Sequence, residues 1–142
     1  MIIIDIKQLS AWPVSPEMLD WFNECFPDGS SAYQDVLDAM AADDCPDFAH
    51  RLLDLAGADK DGVLEIDGSA QRRHVFAAGR LLVHGAINID GWMRAGLTIK
   101  ADHDVRAGLG IRAGWSIWVR GEICSNGPIR SSARIDTGGN IE

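Results

Sequence analysis

The 142 residues predict an α+β chain: a short N-terminal helical region of about three helices, then a triangular parallel β-solenoid of about four coils. Two observations carry that prediction. Residues 1–62 hold 13 acids against Lys7, Arg51 and Lys60, a formal charge of −10, with apolar residues at helical spacing. Residues 63–142 hold 8 acids and 10 Arg or Lys, a charge of +2, and return an aliphatic residue every six positions. The two parts, 1–62 and 63–142, meet in the Asp- and Gly-rich string ADKDGVL at 58–64.

The helical elements are set by their ends. Ser15 is a good N-cap, Pro16 suits the first helical position, and Glu17 places an acid in the first turn. Met18, Leu19, Phe22 and Phe26 then share a face, and FPDGS stops the helix. A second helix is expected from Ser31 to Ala42, with Tyr33, Val36, Leu37 and Met40 at i, i+3, i+4 and i+7. A third opens at Pro46, buries Phe48, Ala49, Leu52, Leu53 and Leu55, and ends at Gly57. Three such helices enclose little core alone and need something to pack on. Ile3 and Ile4 are expected to add a first strand or to cap an end of the solenoid.

The solenoid elements are set by the hexad. Anchors stand at Val63, Val75, Leu81, Ile87, Met93, Ile99, Val105, Ile111, Ile117, Ile123, Ile129, Ile135 and Ile141, with Ser69 the single break. Two residues after an anchor comes a small or β-branched residue, as at Ala77, Val83, Ala95, Ala107 and Val119. In, out, in makes a short strand, glycines turn the corners, and three sides close a coil of about 18 residues.

Charge and cysteine usage bound the function. A pI near 4.8 disfavours direct nucleic-acid or anionic-membrane binding by the acidic region. No apolar run approaches the length of a membrane span, and MIIIDIKQLS lacks the basic start of a signal peptide. Three widely spaced cysteines, Cys25, Cys45 and Cys124, suit reduced thiols and a cytoplasmic location.

The I-x-[AV]-x-G-x rhythm of LLVHGAINIDG and IWVRGEI resembles bactofilin-like, hexad-repeat β-solenoid proteins. That resemblance implies a self-assembling scaffold. A left-handed hexapeptide acyltransferase is a weaker alternative, because its small residue two places before the anchor is replaced here by Leu97, His103, Leu109 and Trp115. The small, acidic chain, with solenoid runs behind short helices, also resembles phage and prophage accessory proteins such as anti-CRISPR inhibitors. This second resemblance implies a non-enzymatic inhibitor whose acidic surface imitates nucleic acid and blocks a host nucleic-acid-targeting complex. Its partner would be a host protein or nucleoprotein complex, met in the host bacterial cytoplasm, with a homodimer as a further candidate and no cofactor or metal expected.

The candidate site residues fall into a few groups. The acidic face comprises Asp35, Asp38, Asp43, Asp44 and Asp47, which serve either as a phosphate mimic or as a solvated helix face. Arg94, Arg112 and Arg130 are 18 residues apart and should stack on one face. Such a ladder is either an anion- or partner-binding strip or is neutralised by acids of the helical part. Trp115 and Trp118, near Leu82, Leu97 and Lys100, form either a partner or self-association face or the place where the helices dock, and Trp92 is ambiguous in the same way. Asp59-Lys60-Asp61-Gly62 resembles half a calcium loop, but Gly57 and Gly68 stand where the terminal ligands belong. Asp102-His103-Asp104 and His84 could serve acid–base or metal chemistry; an exposed polar corner is the plainer account.

Overall fold

A computed structural model describes residues 2–67, 73–139 and 141 of the chain. Ser69, the break in the hexad, and Gly68, a calcium-loop position, lie outside the described residues.

Four helices form where three were expected. Helix α2 (Pro16–Cys25) starts as anticipated, with Ser15 Oγ accepting from the Met18 N–H at 3.2 Å. Helix α3 (Tyr33–Ala42) begins two residues later than Ser31, and α4 (Pro46–Ala56) ends against Gly57, whose N–H bonds the Leu53 carbonyl. The additional helix, α1 (Ile6–Ala11), is set by a capping box between Asp5 and Gln8. Its single turn and a half was hidden in IDIKQLSA because so short a helix shows little periodicity. Strand β1 (Ile3–Asp5) does form. It pairs antiparallel with β2 (Ser30–Ala32) inside the helical region, so Ile3 and Ile4 do not cap the solenoid. Ser30 and Ser31 are thereby drawn into a strand, which delays α3.

The solenoid has three parallel sheets. One holds β4 (Val75–Ala77), β7 (Trp92–Ala95), β10 (Gly110–Ala113) and β13 (Ile129–Ser131). The second holds β3 (Val63–Asp67), β5 (Arg80–His84), β8 (Ile99–Ala101), β11 (Ile117–Val119) and β14 (Ile135–Thr137). The third holds β6 (Ile87–Ile89), β9 (Val105–Ala107) and β12 (Ile123–Ser125). Residues 18 apart are partners, as in Met93↔Ile111, Leu81↔Ile99 and Ile87↔Val105. The anchors and the small residues two places on line one interior, from Ile66 to Ile123. Each buried aliphatic contributes about 1.5–3 kcal/mol relative to exposure.

The first anchor is corrected. Leu64, not Val63, pairs with Leu81, so this span is 17 residues rather than 18. Val63 is 53% exposed, while Ile66 turns inward. Side chains alternate along a strand, so the loss of one residue puts Val63 on the outer side.

Corner glycines mainly answer a need for close approach. A Cβ on Gly114 would run into the Gly96 carbonyl of the coil beneath, and one on Gly96 into the Ala78 carbonyl. Of the solenoid glycines described, Gly85 alone takes a positive φ, 95°.

The helices build a second core from Leu9, Met18, Phe22, Tyr33, Val36, Leu37, Met40 and Leu52. That core continues into the solenoid through Phe76 and Ala78, with Trp92 packed against it. The helical region therefore sits on the outward face of β4 and β7.

Candidate functional site

Three polar devices join the helices to the solenoid. The first is Gln34 on α3. Its Nε2 donates to the Phe76 carbonyl at 2.7 Å, and its Oε1 accepts from the Ala78 N–H at 2.9 Å. Strand β4 pairs only with β7 among the described strands, so these are its open-edge groups. One amide side chain thus stands in for a neighbouring strand.

The second device runs through His74, which is 3% exposed. Its Nδ1 accepts from the Trp92 N–H at 3.0 Å, so the proton sits on Nε2, which donates to Asp44 Oδ1 at 2.6 Å. This hydrogen bond, with Arg73 at 3.4 Å, holds the Asp44 carboxyl below its ordinary range. Asp44 itself has φ 56°, with bonds from its own N–H to Ala41 and from Cys45 to Met40 that close the end of α3.

The third device captures the top of the arginine ladder. Arg94, Arg112 and Arg130 are register partners on β7, β10 and β13, as the 18-residue spacing requires. Arg94 is only 7% exposed, because α4 lies over it. Its guanidinium donates to Asp54 at 2.6 Å, to the His50 carbonyl at 3.2 Å and to His50 Nδ1 at 3.0 Å. Arg94 is therefore no open partner-binding residue; an acid of the helical part neutralises it. Burial, then the Arg94 charge, lower His50 to about 4, and the hydrogen bond from Arg94 helps hold Asp54 below the ordinary carboxylate range. Arg112 and Arg130 remain exposed, with no hydrogen-bond or ion-pair partner among the described residues.

The tryptophan face stays bare. Trp118 lies between Lys100 and Asp136 on neighbouring coils, with Leu82 beyond Lys100. Trp115 is stacked on Leu97 through its N–H to the Leu97 carbonyl at 2.9 Å. Trp115 is 58% and Trp118 46% exposed. The expectation that the helices dock there is overturned. They sit instead over Phe76, Trp92 and Arg94, because that face offers an aromatic pair plus an edge and a cation for Gln34 and Asp54.

The acidic residues do not form one free face. Asp43 accepts from Trp21 Nε1 at 2.8 Å, Asp38 from Gln34 Nε2 at 2.9 Å, and Asp44 is held by His74. Asp35 and Asp47 are exposed, without a hydrogen bond or ion pair among the described residues. In the corner residues, Asp104 accepts from the Glu122 N–H at 2.8 Å, and His84 lies 3.5 Å from both Glu65 and Asp102. Asp59 Oδ1 accepts from the Asp61 N–H at 3.1 Å, a local turn. The three cysteines are free thiols.

Sequence reasoning passed over Gln34, His50 and His74. A signal existed for one of them: His50 and Asp54 are spaced i, i+4 on a helix whose neighbouring positions are apolar.

The helical region has a counterpart among known families. Residues 1–56 match the family model described as the YdhT N-terminal domain. That match spans the β1–β2 strand pair and all four helices, less than half of the chain. No curated protein and no solved structure matches. Among the described residues, no helix is long and apolar enough to cross a membrane.

Proposed function

We propose that the chain is a non-enzymatic binding protein whose partner is another protein, engaged through the bare outward face of the β5–β8–β11–β14 sheet. One observation supports this most: Trp115 and Trp118 are 58% and 46% exposed on a rigid stack of strands that the helices leave uncovered. Exposed tryptophans flanked by Lys100 and Asp136 combine the apolar anchors and polar surround that concentrate binding energy in interfaces. The inhibitor reading, in which a phage- or prophage-encoded protein occupies a host nucleoprotein complex, is a narrower form of this proposal. Its mimicry arm rests on Asp35 and Asp47, since Asp38, Asp43 and Asp44 are already engaged. Head-to-tail stacking of coils into a scaffold is opposed by Gln34, which occupies the β4 edge.

The test compares three forms of the protein in pull-downs from bacterial lysate: wild type, Trp115→Ser/Trp118→Ser and Asp35→Lys/Asp47→Lys. A protein retained by wild type and by the aspartate variant, and lost from the tryptophan variant, supports the proposal. Loss from the aspartate variant alone moves recognition to the acidic helices. Filaments that grow with protein concentration in sedimentation would replace binding by self-assembly.

A further inference from the structure

Beside the covered rung of the arginine ladder lies a cavity of about 290 Å³, lined by His50, Trp92, Ile111, Arg112, Pro128 and Arg130. It is distinct from the tryptophan face, and a ligand bound in it is independent of a protein bound there. Three features converge in this cavity. Arg112 and Arg130 are register partners on adjacent strands, about 4.8 Å apart along the ladder, and both are exposed. Neither has a hydrogen-bond or ion-pair partner among the described residues; Asp54, which answers Arg94, senses Arg112 only through space. Two like charges so close are unfavourable without a counter-charge.

The histidine is fixed by its neighbours. A guanidinium only donates, so His50 Nδ1, 3.0 Å from Arg94, must accept. The ring proton then sits on Nε2. That atom is buried and has no hydrogen-bond partner. The imidazole packs nearly perpendicular to the Phe76 and Trp92 rings, so it fixes the Trp92 wall of the cavity, while the arginine pair is what lacks a counter-charge there.

We propose that this cavity is a binding site for the phosphoryl or sulfuryl group of a small molecule, with Arg112 and Arg130 as the paired cations and Trp92 as the apolar wall beside them. Paired guanidiniums suit a tetrahedral oxyanion, which can accept from both forks at once. The volume stands at the lower end of ligand cavities, enough for such a group and a short substituent against the Trp92 ring.

The probes are inorganic phosphate, sulfate and phenyl phosphate, titrated into the full chain by calorimetry at constant ionic strength, with the Trp92 indole followed by NMR. Saturable binding at one site is expected. Arg112→Gln and Arg130→Gln should each weaken it at least tenfold. Lys100→Gln, which removes the same charge from the tryptophan face, should change it less than twofold. His50→Phe, which removes the ring nitrogens but keeps a ring beside Trp92, should change it less than twofold. Tighter binding of phenyl phosphate than of phosphate identifies an organic monoester as the ligand; equal affinity identifies the free anion. Absence of saturation, or equal loss in the Arg112, Arg130 and Lys100 variants, overturns the site. Since both arginines are exposed, circular dichroism should show these variants folded.

Discussion

The two outward faces that carry Arg94 and Trp118 are built on the same interior, with aliphatic anchors and small residues alternating beneath both. They differ only in the middle residue of each strand. On β4 and β7 those positions are Phe76 and Arg94, and helices lie over them. On β5, β8, β11 and β14 they are Leu82, Lys100, Trp118 and Asp136, and no described helix covers them. Hydrophobic surface alone therefore does not decide where the helices dock, since tryptophan is abundant on the bare face. The covered face also presents a strand edge, a buried histidine and a cation, and each meets a matching group on a helix. Polar complementarity selects among apolar surfaces of comparable size.

The largest expected effect is at the seam. Phe76→Ala removes a ring only 1% exposed, which the solenoid lends to the helical core, and should cost about 3–5 kcal/mol in urea unfolding. Next comes Asp54→Ala, which leaves the Arg94 guanidinium covered and unpaired; about 2 kcal/mol is expected, partly recovered in the double variant with Arg94→Met. Gln34→Ala strips two hydrogen bonds from the β4 edge and should cost about 1–2 kcal/mol, with faster hydrogen exchange at the Ala78 amide.

A pH series probes the same seam without changing the chain. His50 is lowered to about 4 in the folded state, below its ordinary value near 6.5. The unfolded state then binds the proton first. The His50 contribution is fully present above about pH 6.5 and is lost as pH falls toward 4; below that, Asp44 and Asp54, held below the ordinary carboxylate range, continue the decline as they take up protons. With the ring only partly buried, the His50 part of the decline should be about 1 kcal/mol, and His50→Gln should abolish it. The smallest effect belongs to the bare face: Trp115→Ser/Trp118→Ser should leave stability within about 0.5 kcal/mol while removing any partner bound there. A loss as large as that of Phe76→Ala would mean that the two faces are not different after all.

The repeat was readable because a period of six repeats its evidence many times over, and the 18-residue coil came directly from it. The arginine ladder was readable for the same reason. What escaped was whatever occurs once. The shift from Val63 to Leu64 depends on a single residue's difference in length before Val75, which a period cannot register. Gln34 is one polar residue on a helix, and its role depends on an edge that exists only after the coil has formed. Asp54 stood among thirteen acids of the helical region, and nothing local distinguishes it as the one that meets Arg94. The free acidic face is smaller than a count of charges implies, because Asp43 and Asp44 are engaged by Trp21 and His74.

The Gln34 amide has a consequence for the order in which the molecule assembles. A solenoid coil gains most of its stability from its neighbours, so the first coil is the costly one to form. Here the helices are synthesised before any coil, and their surface already offers one donor and one acceptor spaced for a strand. Strand β4 can add to that template as it would to a finished neighbour, and later coils can add to β4 in turn. The helical region is thereby placed as a primer for the first coil, and β4 in turn brings the Phe76 ring that completes the helical core.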